Sequence, residues 1–275
     1  MIESVHSRLG KKESAANTPS IRGYLQSRFP HVHRVLRWLY RFPADYWKPK
    51  PGNILRLLDE FCSAEAPSLI SFIQIGANNG DDEFTNLRKR YGWRGVMVEP
   101  QREVFAELVR LNSGDGLKFE QVAISDYECE LPLYKISFSE GDWAHTLASF
   151  DRQIIERSIN DGWIARCAAA EGIVPPESQD DWVTTELVRC TTLQKLLDKY
   201  QLTLFDLLIL DTEGHDYEII KQVEALQHKP RVIIFEHKFL STLDLQACLK
   251  SLRHWGYRIN ADDSNTIGIA KPVSN

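Results

Sequence analysis

Five ionisable residues late in the chain could do chemistry. Asp211, Glu213 and His215 stand in the run Asp211-Thr212-Glu213-Gly214-His215, and Glu236 and His237 close the run Arg231-Val232-Ile233-Ile234-Phe235. Phe205 to Asp211 and Arg231 to Glu236 both read as buried strands ending in a carboxylate, so an α/β sheet would gather these groups outside the carboxyl ends of neighbouring strands. Crowding them there is costly unless they serve chemistry, bind a cation or titrate at shifted pKa values. Carboxylates and imidazoles so placed can take a proton from a hydroxyl. Asp211, Glu213 and Glu236 also offer three oxygen ligands, enough for Mg²⁺ if water completes the octahedron. The sequence leaves a side-chain base and a bound cation as open alternatives.

The elements that must position these groups begin at Ser71-Phe72-Ile73-Gln74-Ile75-Gly76-Ala77-Asn78-Asn79-Gly80-Asp81-Asp82. An apolar run ends at Gly76, Gly80 follows within a tight turn, and Asp82 to Arg88 reads as a helix; strand, glycine turn and helix open a doubly wound nucleotide-binding sheet. Neither G-x-G-x-x-G nor the phosphate-binding loop pattern is present. Asp81 and Asp82 sit where pyrophosphate would meet the positive end of the helix, so the turn favours S-adenosylmethionine, a nucleoside carrying a sulfonium, over NAD or ATP. Arg94 to Glu99 is a second strand, and Glu99 at its end, about 20 residues past the turn, is spaced to accept ribose hydroxyls.

Composition bounds the rest. The 275 residues, 43% hydrophobic, suffice for one large core, and a net charge of −5 argues against a nucleic-acid-binding surface. Cys62, Cys129, Cys167, Cys190 and Cys248 are scattered and never spaced as C-x-x-C, which fits a reducing compartment without an evident zinc site. With no apolar run of about 20 residues and a polar first 20 positions, the expected location is the cytoplasm.

Residues 1–50 are read as a disordered tail, an amphipathic basic helix from Arg28 to Phe42, and a linker from Trp47 to Gly52. Val32, Val35, Leu36 and Leu39 share a helical face and Arg34, Arg37 and Arg41 another, a pattern suited to packing on the main domain or to peripheral membrane or protein contact. Residues 51–275 form the main domain. Within it come a helix from Asn53 to Ser63, a helix from Glu103 to Asn112, a third strand from Lys118 to Ile124, a helix from Thr192 to Tyr200, and a final antiparallel hairpin after a helix from Asp244 to Trp255. Residues 127–189 break the alternation and read as a lid-like insertion, with a strand from Cys129 to Ser137 and a helix from Asp151 to Ser158. Trp143, Trp163 and Trp182 within it would be flat platforms for an acceptor or the packing of a small helical insert, with equal weight.

Taken together, Ile75-Gly76-Ala77-Asn78-Asn79-Gly80, Val98-Glu99-Pro100, Val122-Ala123-Ile124-Ser125-Asp126, Thr191-Thr192-Leu193, Asp211-Thr212-Glu213-Gly214-His215 and Phe235-Glu236-His237 resemble the FkbM-type S-adenosylmethionine-dependent O-methyltransferases. The resemblance spans about residues 70 to 240 and implies a Rossmann-like sheet of class I methyltransferase type. It also implies cofactor contacts from Gln74, Gly76, Ala77, Asn78, Gly80, Glu99, Pro100, Ala123, Ile124 and Asp211, and an acceptor hydroxyl on a sugar, glycan or secondary metabolite. Gln74 departs from the Asp common in such families; an amide can hydrogen-bond the amino-acid moiety of the cofactor but lacks a charge for its ammonium. An NAD-dependent oxidoreductase on the same fold and a catalytically inactive cofactor-binding module are the alternatives.

Overall fold

The computed structural model describes residues 50–65, 69–114 and 116–271. The expected basic helix from Arg28 to Phe42 lies outside them. In chain order the first elements are β1 (Lys50–Pro51), α1 (Ile54–Glu65), β2 (Ser71–Ile75), α2 (Thr85–Tyr91), β3 (Arg94–Val98), α3 (Arg102–Asn112) and β4 (Leu117–Glu120). Next come β5 (Ala123–Ile124), β6 (Cys129–Ile136), α4 (Asp142–Thr146), α5 (Arg152–Asn160), α6 (Trp163–Ala170) and a 3₁₀ turn (Gln179–Trp182). β7 (Val183–Thr191), α7 (Leu193–Tyr200), β8 (Leu207–Leu210), α8 (Asp216–Val223), β9 (Val232–Glu236), α9 (Thr242–His254), β10 (Tyr257–Ala261) and β11 (Asn265–Ala270) follow.

One sheet carries the order β1-β10-β11-β9-β8-β2-β3-β4. β4, β3, β2, β8 and β9 run parallel, while β11 runs antiparallel to both of its neighbours. This is a Rossmann-like doubly wound sheet of class I methyltransferase type. Its central strands are apolar on both faces, as parallel strands covered by helices must be: Leu207 to Leu210 is buried throughout. Phe72, Met97, Leu207 and Ile209 pack with Leu57, Leu58, Leu87 and Leu108 of α1, α2 and α3, whereas Ile73, Val98, Leu208 and Leu210 pack with Leu196, Ile219 and Leu252 of α7, α8 and α9. The order reverses between β2 and β8, so a crevice opens beyond their carboxyl ends.

Three expectations need correction. The stretch from Lys118 to Ile124 is two strands: β4 closes the main sheet, and β5 leaves it to pair with β7 in a second sheet of order β5-β7-β6. Lys50 and Pro51, expected as linker, pair in parallel with Asn260 and Ala261 at the edge of the main sheet. The insertion is also more regular than expected, because its return strand β7 pairs with β6 along the whole of β6. Ile136, Leu147, Ile154, Ile155, Ile164 and Trp182 give it a core of its own. Trp143 and Trp163 meet edge to face at 6.2 Å, and Trp182 packs on Phe138 at 5.4 Å. The tryptophans serve packing, and none of the three lines the crevice described below.

Candidate active site

The crevice at the reversal is partly open to solvent, with about 620 Å³ of atom-free space that includes that open part. Its first wall is the turn after β2. Gly76 sits at φ +78, and a Cβ there would stand 1.7 Å from the Asp211 carbonyl oxygen, so only glycine lets β2 and β8 close together. The backbone is pinned on both sides: Gly76 N–H donates to the Val98 carbonyl at 3.0 Å and Asp211 N–H to the Ile75 carbonyl at 3.0 Å.

Beside the turn, Glu99 is 3% exposed. Its Oε2 accepts from Asn78 N–H at 3.0 Å, and its Oε1 from Gln101 N–H at 2.9 Å and Gln101 Nε2 at 3.3 Å. Burial pushes its carboxyl up to about 7, against the pull of those donors. Pro100, Ala123 and Ile124 continue this wall. β5 owes its place there to its pairing with Cys190 and Thr191 of β7.

Of the residues expected to hold cofactor, Gly76, Asn78, Glu99, Pro100, Ala123, Ile124 and Asp211 line the crevice; Gln74, Ala77 and Gly80 do not. Gln74 lies on the opposite face of β2, where its Nε2 donates to Asp82 at 2.7 Å and its Oε1 is 3.5 Å from Arg88. Arg88, itself buried, also donates to the Gly80 carbonyl at 2.6 Å, so Gln74 and Gly80 belong to the brace behind the turn. The charge at Asp82 differs from expectation too. The helix begins only at Thr85, Asp82 accepts from Phe84 N–H at 2.8 Å, and Arg88 lies 3.6 Å from its other oxygen. Asp82 is therefore partnered by a cation and does not line the crevice, which removes much of its force against pyrophosphate.

The second wall is the strand end of β8. Asp211, Thr212, Glu213 and His215 line it, with Glu213 at φ +48 and Gly214 at φ +94 making the sharp turn into α8. The turn is held from the insertion: Ser149 Oγ donates to the Glu213 carbonyl at 2.7 Å, and Ile154 lies where a Gly214 Cβ would project. Glu236, at the end of β9, does not line the crevice, but oxygens of Asp211, Glu213 and Glu236 lie within 4.8 Å of one another. At an effective dielectric of about 20, two ionised carboxylates at that separation repel by roughly 3–4 kcal/mol. Burial and this repulsion push Glu213 and Glu236 upward. Asp211 opens to the crevice although most of its surroundings are protein, and it is pushed up to about 7. Behind them the fully buried Asp216 accepts from Thr212 Oγ1 at 2.8 Å and from Glu236 N–H at 3.2 Å, which ties β8 to β9.

The two histidines separate. His215 stacks edge to face on Phe150 at 5.0 Å; burial lowers its pKa and keeps the imidazole neutral, with Nε2 buried and without a hydrogen-bond partner. His237 does not line the crevice; its Nδ1 is 3.1 Å from the buried Thr266 hydroxyl. His237, expected among the proton-transfer candidates, thus stands outside the crevice with one ring nitrogen on β11. Sequence reasoning missed Gln101, His145, Thr146, Ala148 and Phe150, which also line the crevice. Four of these come from the insertion, whose approach is set by tertiary packing. Gln101 alone carried a local sign, two residues after the strand-end Glu99.

The model of the Methyltransferase FkbM domain matches residues 74–259. The chain belongs to the FkbM methyltransferase family. By family and fold it is an S-adenosylmethionine-dependent methyltransferase. No curated protein gives a match to the sequence. Among solved structures, the METTL16 MTase domain is 12% identical with a TM-score of 0.43, over 80% of this chain and 67% of that one. The N-terminal domain of human METTL16 in complex with SAH is 14% identical with a TM-score of 0.40, over 98% and 100%. A ribosomal protein L11 methylase from Lactobacillus delbrueckii subsp. bulgaricus is 11% identical with a TM-score of 0.35, over 79% and 77%. Likeness this distant supports no statement about the substrate of this FkbM-family chain. The residues of the first wall suit the family's cofactor: a glycine whose Cβ would block the seam, a buried carboxylate for a ribose, and an apolar β5 alongside.

Proposed function

We propose that this FkbM-family protein transfers a methyl group to a hydroxyl of a sugar, glycan or secondary metabolite, with Asp211 as the proton acceptor. The observation that carries the reading is the meeting of two unlike walls across one crevice, a glycine turn with a buried carboxylate facing three ionisable side chains. S-adenosylmethionine, when bound, supplies an electrophilic methyl group on a sulfonium. Glu99, Asn78 and the backbone at Ala123 and Ile124 hold the nucleoside, and Gly76 leaves room for it. Asp211 is open to the crevice and its carboxyl is raised toward neutrality, which matches a base working near pH 7. Burial, with the neighbouring Asp216 carboxylate, keeps Asp211 basic, and the neutral His215 orients the acceptor oxygen. A positioned base of this kind contributes about 10²–10⁴-fold to rate.

Calorimetric titration with S-adenosylmethionine and with NAD tests the cofactor; binding of NAD alone would return the chain to the oxidoreductase reading. With a working acceptor in hand, Asp211→Asn should lower turnover by about 10²-fold or more while leaving cofactor affinity within a few-fold. Loss of activity in EDTA, restored by Mg²⁺, would instead assign Asp211, Glu213 and Glu236 to a cation.

The net charge of −5 favours an uncharged acceptor over a nucleic acid. We place the domain boundary just before residue 50, since Lys50 already pairs with Asn260. A chain starting at Pro49 should bind cofactor as the whole protein does. The described residues contain no helix long and apolar enough to cross a membrane.

A further inference from the structure

We propose that Gln101 is a second ribose-reading side chain, sharing the two hydroxyls of the cofactor with Glu99 and carrying its occupancy to the insertion through His145. The inference rests on the S-adenosylmethionine reading above.

Gln101 is an unusual residue for its place. It is the N-cap of α3, a position that favours Ser, Thr, Asp or Asn, yet its side chain caps no helix N–H. It is 3% exposed, lines the crevice, and directs its amide sideways. Nε2 donates to Glu99 Oε1 at 3.3 Å and to the His145 carbonyl at 3.0 Å. Both neighbours are acceptors, so this end of the amide must be the nitrogen. Oε1 is then fixed on the other side, buried and without a hydrogen-bond partner. A buried acceptor left so is costly, and a donor from a ligand removes the cost.

The count of lone pairs says which donor. An ionised carboxylate has about four acceptor sites. Glu99 Oε1 already takes two bonds from Gln101, and Oε2 takes one from Asn78. One site remains, enough for a single hydroxyl, whereas a ribose presents two. Gln101 Oε1 is the second acceptor next to it. A tilt of the side chain that keeps both Nε2 bonds, to Glu99 Oε1 and to the His145 carbonyl, brings Oε1 to the hydroxyl. Because His145 belongs to α4 of the insertion, the same amide that reads the ribose then fastens this edge of the crevice.

The test uses the whole chain, S-adenosylhomocysteine and its 2′-deoxy and 3′-deoxy analogues, with calorimetry as the readout. Gln101→Met keeps the length and removes both polar atoms. It should weaken S-adenosylhomocysteine by about 3–10-fold, and the penalty for deleting one of the two hydroxyls, present in the unaltered protein, should vanish in the variant. Hydrogen exchange supplies the second readout: S-adenosylhomocysteine should protect amides of residues 143–150 in the unaltered chain and protect them less in the variant. Gln101→Ala repeats the measurement if the Met variant melts early. Equal losses for all three ligands, or no loss at all, overturn the role of Gln101 while leaving the cofactor in place. Failure of the unaltered chain to bind S-adenosylhomocysteine overturns the cofactor reading and this inference with it.

Discussion

On the β2–β3 side of the crevice Gln74, Asp82, Arg88 and Glu99 hold one another or the backbone through hydrogen bonds, Gln101 Oε1 being the exception. On the β8–β9 side Glu213 Oε2, Glu236 Oε2 and His215 Nε2 are buried without partners. The first side is finished before any ligand arrives; the second concentrates carboxyls that burial and mutual repulsion raise, against the pull of the Lys238 cation. A preorganised wall suits a nucleoside that must be held in one pose. A wall of raised carboxyls suits a proton in transit, since a group fully paired in the ground state would gain nothing when charge develops. Under the proposed function binding falls to one side and chemistry to the other, and variants can break that division.

The largest effect is expected on the finished side, at Gly76. Gly76→Ala sets a Cβ against the Asp211 carbonyl in a backbone conformation that L residues rarely adopt, and neither strand can yield without opening the β2–β8 seam. The loss should exceed about 4 kcal/mol, a fall in Tm of roughly 10 °C or more, or failure to fold. Gly172→Ala is the control: φ is +71 there but nothing lies within 4 Å, so only conformational strain of about 1–2 kcal/mol applies. Equal melting temperatures for the two variants would show that the seam is looser than described. On the other side Glu213→Gln keeps volume and removes a carboxyl that burial and its neighbours hold raised, so it should stabilise the fold at alkaline pH, where that carboxyl ionises, while lowering turnover by about tenfold or more. A variant both less stable and fully active would reverse the assignment of that wall to chemistry.

What could be read from the sequence divides along the same line. Strands β2, β3, β8 and β9 are short apolar runs ending in Gly76, Glu99, Asp211 and Glu236, and a parallel sheet leaves little freedom about where such ends go. That Gly76, Glu99 and Asp211 come together at one crevice was therefore legible. Gln74 was not, because alternation along β2 puts it on the face away from the crevice, and only the buried Arg88 explains an amide there. The start of α2 was misplaced because Asp82 caps a turn three residues earlier, which looks the same in sequence. The insertion was least legible. Trp163 to Ala170 is rich in alanine and could have been read as helix, and Val183 to Thr191 is rich in β-branched residues and could have been read as strand. That His145 and Phe150 reach the crevice depends on how α4 and α5 dock, which no spacing encodes.

A smaller effect should separate the walls by affinity. Glu99→Ala leaves Asn78 N–H and Gln101 N–H without their acceptor and removes the charge facing a ribose. Cofactor binding, measured by calorimetry, should weaken by about 10–100-fold, the scale of a charge-assisted hydrogen bond of roughly 1.5–3 kcal/mol. Unchanged affinity would remove Glu99 from the binding side.

The smallest expected effect is the dependence of stability on pH without ligand. Asp211 is raised from 3.8 to about 7, and Glu213 and Glu236 are raised from 4.5 in the same direction. A carboxyl whose folded pKa lies above its unfolded value holds its proton more tightly when folded. Its contribution is complete below about pH 4 and disappears as pH rises through the folded value. Over the window from about pH 4.5 to neutrality and beyond, where ordinary carboxyls are already ionised, the cluster therefore opposes folding more and more. Tm should fall by a few degrees between pH 5 and pH 8, at roughly 2–4 °C for each kcal/mol. Glu236→Gln should flatten that slope, and Glu99→Ala should remove only the share due to Glu99, which is raised from 4.5 to about 7. Adding a divalent cation sharpens the comparison: if Mg²⁺ restores the lost Tm at pH 8 in the unaltered chain but not in Glu236→Gln, the repulsion is met by a cation, and if it does nothing, by a proton.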